Sequence, residues 1–282
     1  MASTPQNVNA ILDAYGVYPL HKAAALGHKE NLITLLESGL SPNAPNYDCL
    51  TPLHEACIQN QPECAEILIN YGSKVNATSL DGGTPLCDAC AGGSLLCAQL
   101  LVKMGAEINP PFALSTPLHE ACLKGSVECV EFLINAGARL NVNDCNFGTP
   151  LHAATLRHRT DCVRKLLQSG ASVNATKIHE TALHVAVREQ FPEIVEILIE
   201  YGANIFASNN QNKLPIDLLA EAEGHIYDLL THHSAEPASL KDVCRRKIRL
   251  VLGSERLKYV RELKLPKSLT SYLSHELQEC DP

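Results

Sequence analysis

Thr51-Pro52-Leu53-His54 decides the fold, because it returns as Thr116-Pro117-Leu118-His119 and again as Thr149-Pro150-Leu151-His152. Looser copies begin at Tyr18, Thr84, Thr181 and Leu214, so successive starts lie 32 or 33 residues apart. Gly39, Gly72, Gly105, Gly137, Gly170 and Gly202 keep the same interval. A self-similar period of this length marks a stack of short supersecondary units.

Local chemistry gives each period two helices and a turn. Thr51 can cap a helix, and Pro52 suits the first helical position, where its missing N–H is not needed. The spacing predicts a short first helix over residues 52–59. Pro62 opens a second, with Cys64, Ile67 and Leu68 at i, i+3, i+4 on one apolar face. Gly72 ends it, since glycine adopts a left-handed C-terminal conformation at little cost. Val75-Asn76 and the polar residues to Gly83 lead into the next unit.

The composition of the 282 residues is 45% hydrophobic and 19% charged, enough to bury a core. Aromatics are 5% and Trp is absent, unusual for a pocketed enzyme or an aromatic nucleic-acid platform. No run of 18 apolar residues suggests a membrane span, and MASTPQNVNA lacks the basic and apolar regions of a secretory signal. Twelve Cys are therefore expected as free thiols in a reducing compartment, cytoplasmic or also nuclear. Residues 239–282 carry ten Lys and Arg against six Asp and Glu; residues 1–238 carry 13 against 25. The acidic majority argues against general nucleic-acid binding, and the change of sign marks a separate C-terminal module.

The 33-residue unit built on Thr-Pro-Leu-His resembles the ankyrin repeat. The resemblance runs over about residues 18–233, close to seven units, and implies an all-α solenoid whose core comes from stacking. Residues 1–17 are expected as an N-terminal cap. The degenerate Leu214-Pro215-Ile216-Asp217 unit is expected to close the other end.

After a linker at residues 234–238 the pattern changes. Leu240, Cys244, Ile248 and Leu252 form one helical stripe, and Leu263, Leu265, Pro266 and Leu269 gather around a helix-breaking Pro. Ser239-Leu240-x-x-x-Cys244-x-x-x-Ile248 looks like the elongin-binding box of a SOCS box, and Leu265-Pro266-x-x-Leu269 like its cullin box. Ser268 stands where many cullin boxes carry a second Pro. Over residues 239–282 the resemblance implies a small helical SOCS box that binds elongin B and elongin C through Leu240, Cys244 and Ile248. It implies binding of cullin-5 with its RING protein through Leu265, Pro266 and Leu269. The whole chain is similar to the ankyrin-repeat and SOCS-box family, whose members are substrate receptors of elongin–cullin-5 ubiquitin ligases.

Several residues invite chemistry. Cys87-Asp88-Ala89-Cys90 is a C-x-x-C pair, yet Cys57, Cys90 and Cys122 share one repeat slot and Cys64, Cys97, Cys129 and Cys162 another. Thiols recurring at that interval behave as small core hydrophobes, so neither metal nor cofactor is expected. His21, His54, His119, His152 and His184 occupy the tetrad slot, where an imidazole can bond the backbone of adjoining turns; no nucleophile pattern accompanies them. Asn76-Ala77-Thr78 and Asn174-Ala175-Thr176 match the glycosylation sequon but fall in the same repeat turn. For substrate contact, Phe112 and Phe147 near turn tips are candidate anchors. Glu55, Asp88 and Glu120 share a first-helix slot as a candidate acidic stripe. The expected function is that of a non-enzymatic adaptor presenting a substrate protein for ubiquitin transfer and degradation. A scaffold or sequestering adaptor without ligase function is the alternative.

Overall fold

A computed structural model describes residues 5–111, 114–219, 224–235 and 248. The chain divides into two compact units, Met1–Arg139 and Leu140–Pro282. Among the described residues the structure is helical, with one two-stranded hairpin.

The first unit opens with α1 (Pro5–Tyr15), which packs against the first helix pair and buries Ile11. Four pairs follow: α2 and α3 (Pro19–Ala25, Lys29–Glu37), α4 and α5 (Pro52–Ile58, Pro62–Asn70), α6 and α7 (Pro85–Gly92, Leu95–Lys103), then α8 and α9 (Pro117–Lys124, Val127–Asn135). The second unit holds α10 and α11 (Pro150–Leu156, Thr160–Gln168), the hairpin β1 and β2 (Thr176–Lys177, Glu180–Thr181), and α12 and α13 (Ala182–Arg188, Pro192–Glu200). A 3-10 turn at Pro215–Leu218 and α14 (His225–Ala235) follow. In this degenerate tetrad Asp217 takes the His slot, and its carboxylate accepts from the Leu214 N–H at 2.8 Å.

The tetrad works as a joint. His54 Nδ1 accepts from the Thr51 N–H at 3.0 Å and lies 2.9 Å from its hydroxyl; His119, His152 and His184 repeat the arrangement on their own Thr. An accepting Nδ1 places the ring proton on Nε2. That nitrogen then donates to the turn of the following unit, from His21 to the Leu50 carbonyl at 2.9 Å and from His152 to that of Glu180 at 3.2 Å. Where Cys87 replaces His, its thiol donates to the Ser115 carbonyl at 3.6 Å. His21, His152 and His184 thus tie a helix start to the following unit, a structural use, whereas the buried His54 Nε2 finds no hydrogen-bond partner among the described residues.

First helices stack on first helices and second on second within each unit. Leu53, Leu86 and Leu118 are fully buried between layers, as are Cys57, Cys90 and Cys122. Gly72 (φ +89) closes α5 with open space where a Cβ would stand, so its backbone conformation, not crowding, calls for glycine. A second ladder runs along the turns. Asn76 Nδ2 donates to the Gly105 carbonyl at 3.1 Å while its Oδ1 accepts from the Glu107 N–H at 2.9 Å. Asn43 and Asn109 do the same in the first unit, and Asn174 in the second. Both sequon asparagines are therefore engaged in repeat-to-repeat bonds.

Candidate functional site

Two surfaces stand out, one in each unit. In the first, Glu55, Asp88 and Glu120 sit half-buried on α4, α6 and α8, as their shared slot predicts. Burial pushes the Asp88 carboxyl up to about 7, and the charges of Glu120 and Glu55 add to the effect. The Asp88 carboxyl therefore senses both of its neighbours on the stripe. The turn tips beside them carry exposed apolar side chains, Tyr47 at 86% exposure and Leu80 at 73%. Phe112, the expected anchor here, lies outside the described residues.

The second unit holds a pocket of about 270 Å³ between the 144–148 tip, the end of α10, the β1–β2 hairpin and α12. Its apolar wall is made by Phe147, Leu156, Ile178 and Val185, and its polar part includes Lys177, Glu180 and Arg188. Asp144 builds the tip: its carboxylate accepts from the N–H groups of Asn146 and Phe147, the latter at 2.7 Å. Gly148 (φ +81) lets the tip close, because a Cβ there would stand 2.7 Å from the Lys177 Cβ. Phe147 is consequently half-buried in the pocket wall, not a free exposed anchor. Arg188 reaches both oxygens of Glu180, at 2.9 and 2.8 Å, and this pair holds the far side of the pocket.

The hairpin rim was hidden from sequence reasoning. Lys177 pairs with Glu180, leaving Ile178 and His179 as a two-residue turn with φ of +48 and +69. Such turns favour Asn-Gly, and Ile178-His179 carries no such signal. Lys177 also donates to the Asn146 carbonyl, joining the hairpin to the tip.

The thiols divide in a way the repeat slots only partly foretell. Cys57, Cys64, Cys87, Cys90, Cys97, Cys122, Cys129 and Cys162 are buried, but Cys49 and Cys145 are exposed in turns. Burial raises the Cys87 thiol to about 11 and that of Cys90 well above its ordinary value, so both stay protonated near neutrality. Among the described residues no group of three or more His, Cys, Asp or Glu could hold a metal ion, and no helix is long and apolar enough to cross a membrane.

Of the C-terminal candidates only Ile248 is described; it is helical and 41% exposed. Leu240, Cys244, Leu265, Pro266 and Leu269 lie outside the described residues.

Comparison with known proteins supplies the context. Ankyrin-repeat models match residues 20–112, 54–144 and 111–177, with a further repeat at 179–210, and a SOCS-box model matches 236–274. Mouse ankyrin repeat and SOCS box protein 13 is 48% identical over 135 residues, 47% of this chain and 48% of its own length. Human ankyrin repeat and SOCS box protein 5 is 40% identical over 99 residues, covering 35% of this chain and 30% of its own. The matched stretch thus spans about half, or less, of these curated relatives. The crystal structure of the human ASB11 ankyrin repeat domain superposes with a TM-score of 0.73 at 37% identity, covering 78% of this chain and 99% of that one. The ankyrin repeat domain of Bcl-3 gives 0.62 at 27%, with 77% and 99% covered. An ankyrin array joined to a SOCS box is the pairing that names these relatives, and the chain belongs to the ankyrin-repeat and SOCS-box family.

Proposed function

We infer that the chain is the substrate-recognition subunit of a cullin–RING ubiquitin ligase. The observation that carries this reading is the SOCS-box match at residues 236–274, on the same chain as the ankyrin array. That interval contains Leu240, Cys244 and Ile248, read as contacts to elongin C in its complex with elongin B, and Leu265, Pro266 and Leu269, read as contacts to cullin-5 with its RING protein. The array would hold a substrate protein and lead it to ubiquitylation and degradation. The chain itself performs no bond chemistry in this scheme; holding a substrate lysine near a charged conjugating enzyme raises the effective concentration of the reactants. The setting is the cytoplasm or nucleus, where reduced thiols such as those filling the repeat core persist.

Leu240 and Cys244 are one helical turn apart, so a helix presents both on one face. Burying a Leu in a partner's pocket contributes about 1.5–3 kcal/mol. With the smaller Cys the pair should supply about 3–4 kcal/mol, several-hundred-fold in affinity. Leu240→Ala with Cys244→Ala should therefore abolish co-purification of elongins B and C and leave the array folded. Leu265→Ala with Pro266→Ala should keep the elongins and lose the cullin. Wild-type elongin recovery on the first double variant would overturn the ligase reading in favour of a scaffold that binds without ubiquitylating.

A further inference from the structure

Ile178 is an anomaly of both chemistry and conformation. It is β-branched, 70% exposed, and held at φ +48, where L residues with branched side chains are strained. The same slot, three residues before the tetrad, holds Asp48, Asp81, Asn146 and Gln211 in four other units and the small Ala113 in a fifth. A polar residue would suit both the solvent and the turn, so neither folding nor solubility accounts for isoleucine. What the strain does achieve is to stand an apolar lip over the pocket formed with Phe147, Leu156 and Val185.

Size and charge define what enters. At about 270 Å³ the pocket falls just below the range of small-molecule sites and suits a single large side chain. Residues 150–190 carry six Lys and Arg against three Asp and Glu, whereas residues 1–139 carry six against thirteen. Arg188 is occupied by Glu180; Lys177 on the rim, whose ammonium meets only the neutral Asn146 carbonyl among the described residues, and exposed Arg157, next to Leu156, carry the excess positive charge.

We propose that this pocket takes one large apolar side chain of the substrate, carried on an acidic segment whose carboxylates face Lys177 and Arg157. The proposal rests on the reading of the array as the substrate-binding half. It places the apolar anchor between Ile178 and Leu156, with the ion contacts around it steering the segment into register.

A displayed library of random dodecapeptides, panned on the full chain, tests this. Enriched sequences should carry a large apolar residue with Asp or Glu within two positions and should lack Lys and Arg. A fluorescein-labelled enriched peptide should lose at least about tenfold in affinity on Ile178→Asn, on Leu156→Glu, and when its own apolar residue becomes Ala. Raising salt from about 50 to about 500 mM should weaken it further. Asn is at ease at positive φ, so Ile178→Asn should melt no lower than wild type, which separates loss of binding from loss of fold. A basic consensus, no enrichment over a blank surface, or binding that survives both substitutions would overturn the proposal. Elongin recovery on both variants should equal wild type, and Leu240→Ala with Cys244→Ala should still bind the peptide, so this pocket and the ligase reading fail separately.

Discussion

At the scale of single residues, the buried His54 and the half-buried Asp88 of the first unit pull stability in opposite directions as pH changes. His54 is pushed down to about 4, chiefly by burial, with the Gly83 and Ala77 carbonyls opposing it. Its folded form is neutral, so below the ordinary 6.5 the unfolded chain binds the extra proton and stability falls toward pH 4. Asp88 is pushed up to about 7, so its folded form is protonated and stability falls as pH rises from its ordinary 3.8 toward 7. The slopes therefore offset each other across about pH 4–6.5. Asp88→Asn removes the falling slope. Its unfolding free energy should rise about 2 kcal/mol more than that of wild type between pH 4.5 and pH 6.5 in urea titrations. His54→Gln, which keeps an acceptor for the Thr51 N–H, removes the rising slope instead, so its stability should fall relative to wild type as pH rises across the same range. Parallel profiles for wild type and Asp88→Asn would show that the carboxyl titrates normally.

Among the elements, what could be read from the sequence depended on how far apart the partners lie. Thr51, Pro52 and His54 act within four residues of one another, and the helix they start was legible; α4 ends at Ile58, a residue short of the expected end. The recurrent Asn was visible as repeat consensus, but its partners sit 29 and 31 residues away, so its bonds were not. The pocket was least legible. Phe147 pointed to the tip that walls it, yet the lip depends on a turn, Ile178-His179, without Gly or Asn to announce it. The Asn ladder makes a quantitative claim at this scale. Asn76→Ala removes a donor to Gly105 and an acceptor for the Glu107 N–H, and should cost about 1–2 kcal/mol in chemical denaturation. Asn76→Asp keeps the acceptor alone and should fall between the two, with protection of the Glu107 amide retained in hydrogen exchange. Equal losses for both variants would mean that the acceptor bond contributes nothing.

For the molecule as a whole, the proposed function needs the array and the box on one chain. In that reading neither part transfers ubiquitin; each fixes a partner, and the chain between them sets how often substrate and charged conjugating enzyme meet. A tether replaces a bimolecular encounter with an effective concentration in the millimolar range for short linkers. Cutting the tether should abolish that gain and leave both binding events intact. A protease site placed within residues 236–238, just after α14 ends at Ala235, provides the cut. In a reconstituted reaction with elongins, cullin-5 and its RING protein, uncleaved chain should ubiquitylate a substrate fused to a pocket-binding peptide. After cleavage the array should still bind that substrate and the C-terminal piece should still hold the elongins. Ubiquitylation at micromolar protein should drop by about two orders of magnitude or more, because the effective concentration is lost. Undiminished ubiquitylation after complete cleavage would mean that substrate reaches the ligase by another route, and the array would then be a scaffold whose box serves a separate purpose.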